Sequence, residues 1–225
     1  MEVSAKINKN RIVMNLNSDA DRSVFEEVFR DLDYKIVDTQ IAGAGNLIID
    51  IGAHIGCFSL YCRCLNSSVK ILAYEPEAEN FNNLKENIRK NNFHDIQVKN
   101  LAVSDRDGQK NIYISDDSHN HSLIKEIEHT NELKVQTIGI NRILDRQELV
   151  DLIKIDCEGA EFEIIQTITP ENFKKIKTLY IEYHEFNDRQ NHQTLVDILK
   201  KNNFKISKKP SHYDRRMGFI LAERF

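Results

Sequence analysis

LIIDIGAHIGCFSLYCRCLNSSVKILAYE, residues 47–75, is the stretch of sequence that decides the fold. The apolar run 47–49 is typical of a strand that is buried on both faces, and Asp50 ends it. A turn with Gly52 and Gly56 follows, after which apolar side chains at 58, 61, 62 and 65 recur with the spacing of one helix face. A second apolar run, 69–74, ends at Glu75. The stretch therefore predicts a strand, a glycine-containing turn, a helix, a second strand and an acidic residue.

This order of elements predicts a nucleoside-binding half-site. Small residues in the turn let a ligand approach the backbone N–H groups at the start of the helix. Glu75, at the tip of the second strand, stands where a ribose would offer its two hydroxyl groups. The other interpretation is that Asp50 and Glu75 are ordinary loop acids and that the glycines only make turns. The agreement of sequence order, strand ends and acid positions disfavours that interpretation.

Two cofactors use such a unit, a nicotinamide dinucleotide or S-adenosylmethionine, and the turn favours the second. A dinucleotide fingerprint has the pattern G-x-G-x-x-G, whose glycines hold a pyrophosphate. In this chain His54 replaces the middle glycine, which compromises the close approach to a diphosphate. Asp50 is also unfavourable beside phosphates, but it suits a ligand that carries a positive amino group, as methionine does.

Strands alternate with helices along the chain, which predicts an α/β fold with a mostly parallel sheet and helices on both faces. Three further core strands are expected at 96–103, 151–156 and 178–183. The last two strands, 204–207 and 217–222, are joined by a polar loop too short for a crossover helix, so they must be antiparallel. A seven-stranded sheet with one reversed C-terminal strand is the usual Rossmann-like architecture of methyltransferases.

Composition restricts the class of protein. With 225 residues, 40% hydrophobic and 29% charged, the chain is long enough for one large α/β domain. A net charge of −4 predicts no general attraction to nucleic acid or anionic membranes. No apolar run approaches the roughly 20 residues of a membrane span, and the first residues lack a secretory signal. Four cysteines without a CxxC pair indicate reduced thiols, so a cytoplasmic protein is expected; nothing in the sequence specifies an oligomeric state.

Five ordered blocks of the sequence resemble the FkbM-type methyltransferases, which are class I enzymes that use S-adenosylmethionine. The blocks are IDIGAHIGCFSL (49–60), AYEPEAENFNNLKENIRKNN (73–92), VKNLAVSDRDG (98–108), DLIKIDCEGAEFEII (151–165) and LYIEYHEF (179–186). The resemblance covers most of residues 20–186, and the order of elements along the chain predicts one methyltransferase domain at 46–225. Residues 1–45 are then an N-terminal appendage, predicted as a strand at 8–16 and a helix that starts with a capping box at Ser23 and Glu26.

The resemblance also implies which residues hold the cofactor. Asp50 and the turn 52–56 would hold the methionine end, and Glu75 would bind the ribose hydroxyls. Residues that follow the second and third strands would enclose the adenine, and Asp156 would lie near the sulfonium that carries the methyl group. The implied cofactor-binding residues are Asp50, Gly52, Ala53, His54, Gly56, Glu75, Pro76, Ala102, Val103 and Asp156.

Candidate catalytic residues follow the fourth and fifth core strands, whose carboxyl ends form the binding edge of an open α/β sheet. His184 is the first candidate for the general base, because its ordinary pKa is close to working pH. Asp156 would orient the acceptor or the sulfonium, and Glu158 would bind acceptor hydroxyls. Alternatively, His184 is a structural histidine satisfied by a neighbouring glutamate, and Glu161 only favours the start of its helix.

Metal, acceptor and partners are less determined by the sequence. The acid-plus-histidine set is able to hold Mg²⁺ or a similar hard cation, but no ligand spacing demands it, so no metal ligand is assigned. The resemblance implies O-methylation of a hydroxyl on a sugar, glycolipid precursor or polyketide-like small molecule. The alternatives are an N- or RNA methyltransferase and a non-catalytic S-adenosylmethionine-binding protein. The basic run 205–216 has little aromatic interleaving, so no nucleic-acid partner is expected. The appendage and the polar loop 116–121 are predicted to close over the acceptor.

Overall fold

The computed structural model describes residues 1–114, 131–185, 191–211 and 216–224, and the loop 116–121 lies outside them. The strands are β1 (Glu2–Ile7), β2 (Asn10–Asn15), β3 (Leu47–Ile51), β4 (Lys70–Tyr74), β5 (Ile96–Lys99), β6 (Ala102–Ser104), β7 (Gly108–Ile114), β8 (Asn131–Gly139), β9 (Val150–Ile155), β10 (Ile176–His184), β11 (Lys205–Pro210) and β12 (Met217–Glu223). The α-helices are α1 (Asp19–Glu26), α2 (Asp38–Ala42), α3 (Cys57–Leu65), α4 (Ala78–Lys90), α5 (Ile140–Leu144), α6 (Glu161–Thr167), α7 (Pro170–Phe173) and α8 (His192–Lys201). A π-helical turn (Glu27–Asp31) and a 3-10 helix (Asp33–Val37) follow α1.

Seven strands form the central sheet in the order β11-β12-β10-β9-β3-β4-β5. The pairs β3 with β4, β3 with β9, β4 with β5 and β9 with β10 are parallel, whereas β12 is antiparallel to both β10 and β11. The predicted fold class, a mostly parallel seven-stranded sheet with one reversed C-terminal strand, is therefore confirmed. The stretch 47–75 supplies β3 and β4, two neighbouring interior strands of this sheet.

Both faces of the sheet are covered, because successive side chains of a buried strand point to opposite faces. Ile49 and Ile153 belong to the hydrophobic cluster that includes α6 and α8. Ile48 and Leu152, each one position earlier, belong to the cluster that includes α3 and α4. This double burial explains the continuous apolar run 47–49 in β3 and the apolar side chains at 152, 153 and 155 in β9. None of the helices in the described ranges is long and apolar enough to cross a membrane.

The prediction of a single strand at 96–103 was wrong. The structure divides it into β5, at the edge of the central sheet, and β6, which pairs with β8 in a separate three-stranded sheet. The division falls at Asn100, whose side-chain amide donates to the carbonyl oxygens of Glu75 and Pro76, both at 2.9 Å. At Asn100 the side-chain amide, in place of strand-to-strand backbone hydrogen bonds, contacts the residues after β4. Residues 101–103 then line the same cavity as Glu75.

The N-terminal residues form a hairpin, β1 and β2, rather than the single strand that was predicted. The helix α1 begins earlier than the predicted capping box at Ser23, because Ser18 caps it by accepting a hydrogen bond from the Asp21 N–H at 3.0 Å. The buried side chains of β2 lie in the same hydrophobic cluster as those of α3 and α4. Residues 1–45 therefore share the core of the sheet, and a domain boundary at residue 45 stays a prediction.

Candidate active site

A cavity of about 440 Å³ lies at the carboxyl ends of β3, β4, β9 and β10, the edge at which open α/β sheets bind ligands. Its size is within the range of small-molecule sites. The N-terminal segment, the β3–α3 turn, the residues after β4 and β5, the end of β9 and the β11–β12 hairpin all contribute to its wall. Lining residues include Glu27, Asp31, Asp33, Tyr34, Gly52, Ala53, His54, Glu75, Pro76, Ala102, Val103, Lys154, Asp156, Glu158, Glu182, Lys209, Ser211, Met217 and Phe219.

The β3–α3 turn packs directly against the end of β9. Gly52 has a φ of +75°, and a Cβ placed on it would lie 1.8 Å from the backbone oxygen of Asp156. Gly56, with a φ of +95°, starts α3, where a Cβ would meet the Leu84 side chain at 2.5 Å. Both positions therefore require glycine, although only Gly52 lies on the cavity wall. Gly56 affects the cavity only indirectly, because it allows α3 to start close to the Leu84 side chain.

Glu75 faces the cavity with both carboxylate oxygens fixed by backbone donors. The N–H of His54 donates to one oxygen at 2.8 Å, and the N–H of Glu77 donates to the other at 2.9 Å. His54 reaches this position through a left-handed backbone conformation, with a φ of 49°. Burial raises the pKa of Glu75 to about 7, although the two backbone hydrogen bonds oppose this rise. The predicted ribose-binding acid is thus oriented in advance.

Three predicted adenine-side residues lie together on the same wall. Pro76 follows Glu75, and Ala102 and Val103 follow the break of the chain at Asn100. Ala102 and Val103 are buried, so they offer an apolar surface rather than hydrogen-bonding side chains. All three line the cavity together with Glu75, and their place at the adenine stays a prediction.

Asp50 does not lie on the cavity wall, in contrast to the expectation that it holds the methionine end of the cofactor. Its carboxylate is fully buried, accepts a hydrogen bond from the Ser59 hydroxyl at 2.7 Å, and lies 3.6 Å from the Lys154 ammonium. Burial raises the pKa of Asp50, and the charge of Lys154 opposes that rise. The surroundings of Asp50 point to a structural role, which is to hold Lys154.

Lys154 is the site residue that the sequence reasoning missed. Its side chain is 4% exposed, and its ammonium donates to the Gly52 carbonyl at 2.7 Å and lies 3.2 Å from the Asp156 carboxylate. Burial alone would lower the pKa of Lys154. The neighbouring carboxylates of Asp156 and Asp50 more than offset this effect, so the pKa lies above its ordinary value and the lysine stays charged. Lys154 therefore ties the β3 turn to the end of β9. A lysine inside the apolar run 152–155 was the available signal, because such a charge needs buried partners.

Glu158 and His184 meet beside Asp156. Glu158 has a φ of 51° in the turn after β9, and its carboxylate lies 3.4 Å from His184 Nε2. His184 Nδ1 lies 3.2 Å from the carboxylate of Glu161. The carboxylate of Glu161 is itself fully buried and accepts the N–H groups of Cys157 and Gly159. The imidazole is thus held between two glutamates, which is the structural alternative considered for it.

The role of His184 as general base stays a prediction, and its surroundings are those of a buried ion-pair partner. Burial lowers its pKa, but Glu158 and Glu161 raise it well above the ordinary value. The two glutamates thus favour the charged form of the imidazole, and His184 is not among the described residues that line the cavity. Burial raises the pKa of both Glu158 and Glu182, and these two carboxylates do reach the cavity.

A comparison with protein families identifies the chain at this point. A family model described as the methyltransferase FkbM domain matches residues 50–206. The chain belongs to the FkbM methyltransferase family. The matched segment runs from the end of β3 into β11 and contains Glu75, Lys154, Asp156 and Glu158. The FkbM resemblance of the five sequence blocks is thereby confirmed, and the chain is a methyltransferase.

Two fungal proteins are among its relatives. Methyltransferase 1 of Beauveria bassiana (strain ARSEF 2860) is 23% identical over 226 residues, which cover 89% of this chain and 89% of that protein. Methyltransferase sdnD of Sordaria araneosa is 24% identical over 197 residues, which cover 72% of this chain and 74% of that protein. Both alignments span most of this FkbM chain and most of the relative.

Solved structures share the fold. Methyltransferase FkbM from Methylobacillus flagellatus KT has a TM-score of 0.54 and 15% identity, over 80% of this chain and 44% of that one. Magnesium protoporphyrin IX methyltransferase from Synechocystis PCC 6803, solved with bound S-adenosylmethionine, has a TM-score of 0.55 and 9% identity, over 94% of this chain and 86% of that one. At these identities the likeness concerns the FkbM fold alone.

Proposed function

We propose that this FkbM methyltransferase uses S-adenosylmethionine to methylate a hydroxyl group of a small molecule, such as a sugar, a glycolipid precursor or a polyketide-like compound. The observation that carries the proposal is the position of Glu75, whose carboxylate faces the cavity beside a turn that lacks a side chain at Gly52. A carboxylate fixed in this way suits the two hydroxyls of a ribose. The residues present therefore fit the cofactor.

Different residues of the chain would contact the ribose, the adenine and the methionine end of the cofactor. Glu75 would accept hydrogen bonds from the ribose, and Ala102 and Val103 would cover the adenine. The backbone of Gly52 and Ala53 would lie along the methionine end, with Asp156 nearby as the residue that faces the sulfonium. When bound, S-adenosylmethionine supplies a methyl group on a positively charged sulfur. The bound state of the magnesium protoporphyrin IX methyltransferase, which shares the fold, supports this choice of cofactor.

The remaining wall of the cavity is acidic and partly aromatic, which supports a hydroxylated acceptor. Asp33, Glu158 and Glu182 line it together with the rings of Tyr34 and Phe219. Carboxylates accept hydrogen bonds from hydroxyl groups, and aromatic faces cover the apolar side of a sugar or a polyketide. The same carboxylates would repel a phosphate backbone, so the RNA alternative is disfavoured.

Glu182 is our candidate for the group that takes the acceptor's proton. Methyl transfer to a hydroxyl requires the oxygen to lose its proton, and a carboxylate held at the reacting centre promotes this loss. Glu182 lies on β10, lines the cavity and carries no described hydrogen bond that would occupy it. Glu158 would bind a second hydroxyl of the acceptor, as proposed from the sequence. Asp156, held by Lys154, would orient the reacting groups.

A screen with labelled methyl donor tests the proposal. The acceptors are sugars, glycosides and polyketide-like alcohols, each paired with its amine analogue, together with RNA. We expect label in hydroxyl compounds, and we expect Glu182→Gln to lower turnover at least tenfold while Glu171→Gln, at an exposed position of α7, leaves it unchanged. Label found only in amines or RNA contradicts O-methylation. Full turnover of Glu182→Gln contradicts its role as proton acceptor.

A further inference from the structure

Asp156, Glu158 and His184 place one potential metal-ligand atom each within 4.8 Å of one another. Two of them belong to the turn after β9, and His184 ends β10. We propose that these three side chains bind a divalent cation, with Mn²⁺ or Mg²⁺ as the class that fits the ligand set. The proposal adds a metal site to the FkbM methyltransferase and is independent of which acceptor it uses.

The imidazole of His184 is the observation that distinguishes this cluster from a group of acids. The His184 side chain is buried, and among the described residues its Nε2 has no hydrogen-bond partner. This atom points at the carboxylate of Glu158, 3.4 Å away. Two donors at about 2.1 Å from one ion, in adjacent coordination positions, lie about 3 Å apart. The observed separation therefore needs little adjustment to hold a cation.

The other ring nitrogen of His184 has the partner that metal-binding histidines usually have. Its Nδ1 lies 3.2 Å from the carboxylate of Glu161, which two backbone N–H groups hold in place. A ligating histidine typically donates its second N–H to a carboxylate, which fixes the tautomer and the ring orientation. With the proton on Nδ1, the lone pair of Nε2 faces Glu158. A proton or a metal ion between them is then required, and the two compete for the same atom.

The ligand set indicates the kind of cation. Two carboxylates and one imidazole suit hard or borderline cations such as Mn²⁺ and Mg²⁺ better than thiophilic ions. The surrounding charge favours a dication, because five carboxyl groups meet in this region and, among the described residues beside them, Lys154 is the one permanent cation. The cluster's carboxylates are Asp50, Asp156, Glu158, Glu161 and Glu182.

The position of the cluster indicates a catalytic metal site rather than a structural one. Asp156 and Glu158 line the cavity, whereas His184 lies behind them. A cation held from that side would leave coordination positions open toward the cavity, as catalytic metals do. Under the proposed function, those positions would receive the acceptor hydroxyl and make its proton easier to lose.

Binding of Mn²⁺ to the full chain tests the site. After treatment with a chelator and dialysis, the protein is titrated with Mn²⁺ alone, and free Mn²⁺ is measured by its electron paramagnetic resonance signal. We expect one Mn²⁺ per chain, displaced by excess Mg²⁺. Glu158→Gln and His184→Ala should each weaken Mn²⁺ binding at least tenfold. His192→Ala is the matched control, because that histidine also contacts a carboxylate, Glu185, but lies outside the cluster.

The outcomes separate the metal site from the rest of the account. Absence of stoichiometric Mn²⁺ binding to the wild type overturns the proposal, as does equal binding by wild type and Glu158→Gln. His184 is buried, so a loss of Mn²⁺ binding in His184→Ala would also follow from misfolding. The Glu158→Gln variant therefore decides the test. S-adenosylhomocysteine binding is measured separately on the same protein. Its retention without Mn²⁺ binding refutes the metal site and leaves the proposed cofactor intact.

Discussion

Replacing Lys154 by methionine tests how the two halves of the site are held together. The change keeps a long side chain but removes the ammonium that donates to the Gly52 carbonyl and lies between Asp50 and Asp156. Asp50, fully buried, is then left with the Ser59 hydroxyl as its described hydrogen-bond partner. Removing one partner of a buried ion pair typically costs about 3–5 kcal/mol. We expect a loss of that size in the free energy of unfolding.

Urea denaturation followed by circular dichroism measures this loss. With a slope of about 3 kcal/mol per molar urea, a loss of about 4 kcal/mol lowers the midpoint by more than 1 M. Lys177→Met is the matched control, because Lys177 also pairs with a buried aspartate, Asp151, but its side chain is 49% exposed. An exposed partner contributes about 1 kcal/mol or less. Adding Asp50→Asn to Lys154→Met should restore part of the stability, since the uncompensated charge is gone.

Two results would refute this account of Lys154. A loss below 1 kcal/mol, equal to that of Lys177→Met, would mean that the buried ammonium is not needed to balance Asp50. A double variant whose losses simply add would mean that Lys154 and Asp50 do not interact. Either result would also remove the reason for assigning Asp50 a structural role.

Three further predictions concern the cavity. Gly52→Ala should lose about 2–5 kcal/mol, from the left-handed backbone and the contact with Asp156, whereas Gly45→Ala, with nothing within 4 Å of its Cβ, should stay near wild type in the same urea assay. Ribose binding requires the ionised form of Glu75, whose pKa is raised to about 7, so S-adenosylhomocysteine affinity measured by calorimetry should fall about tenfold from pH 8 to pH 6; a flat profile would contradict this. Tyr34→Ala should raise the KM for the acceptor and leave S-adenosylhomocysteine affinity within twofold, and an unchanged KM would exclude the N-terminal segment from the acceptor site.

Local patterns in the sequence predicted the sheet because they report directly on burial. The run 47–49 and the side chains at 152, 153 and 155 are apolar, and the structure covers both faces of β3 and β9. Thr169 caps α7 and Pro170 follows it at the first helical position, an arrangement that is typical of a helix start. The antiparallel pairing of β11 and β12 followed from the length of their connection. These features depend on neighbouring residues, so a single sequence contains them.

Features that depend on distant residues were missed. Asn100 interrupts the predicted strand 96–103 through hydrogen bonds to the residues after β4, which no local pattern shows. Ser18 and Ser23 are both acceptable helix caps, and the structure uses the first. The burial of Asp50 against Lys154 likewise arises only when β3 and β9 pair.

In the candidate site, too, features set by neighbouring residues were predicted and features set by distant residues were missed. Glu75 was predicted from the end of its strand, whereas Pro76, Ala102 and Val103 were implied by the family resemblance, and all four line the cavity. The chemistry of His184 did not follow from the sequence, because its two glutamate neighbours come from another segment, the turn after β9 and the start of α6. Strand alternation places a side chain on a face but does not give its partners.

Calorimetric titration with S-adenosylhomocysteine tests the central claim most directly, which is that the cavity at the ends of β3 and β4 holds S-adenosylmethionine through Glu75. We predict that the wild-type chain binds one S-adenosylhomocysteine and does not bind NAD⁺. Glu75→Ala should weaken that binding about 10- to 100-fold, because hydrogen bonds to a charged group contribute about 1.5–3 kcal/mol. Binding of NAD⁺ in place of S-adenosylhomocysteine, or full affinity of Glu75→Ala, would contradict the account.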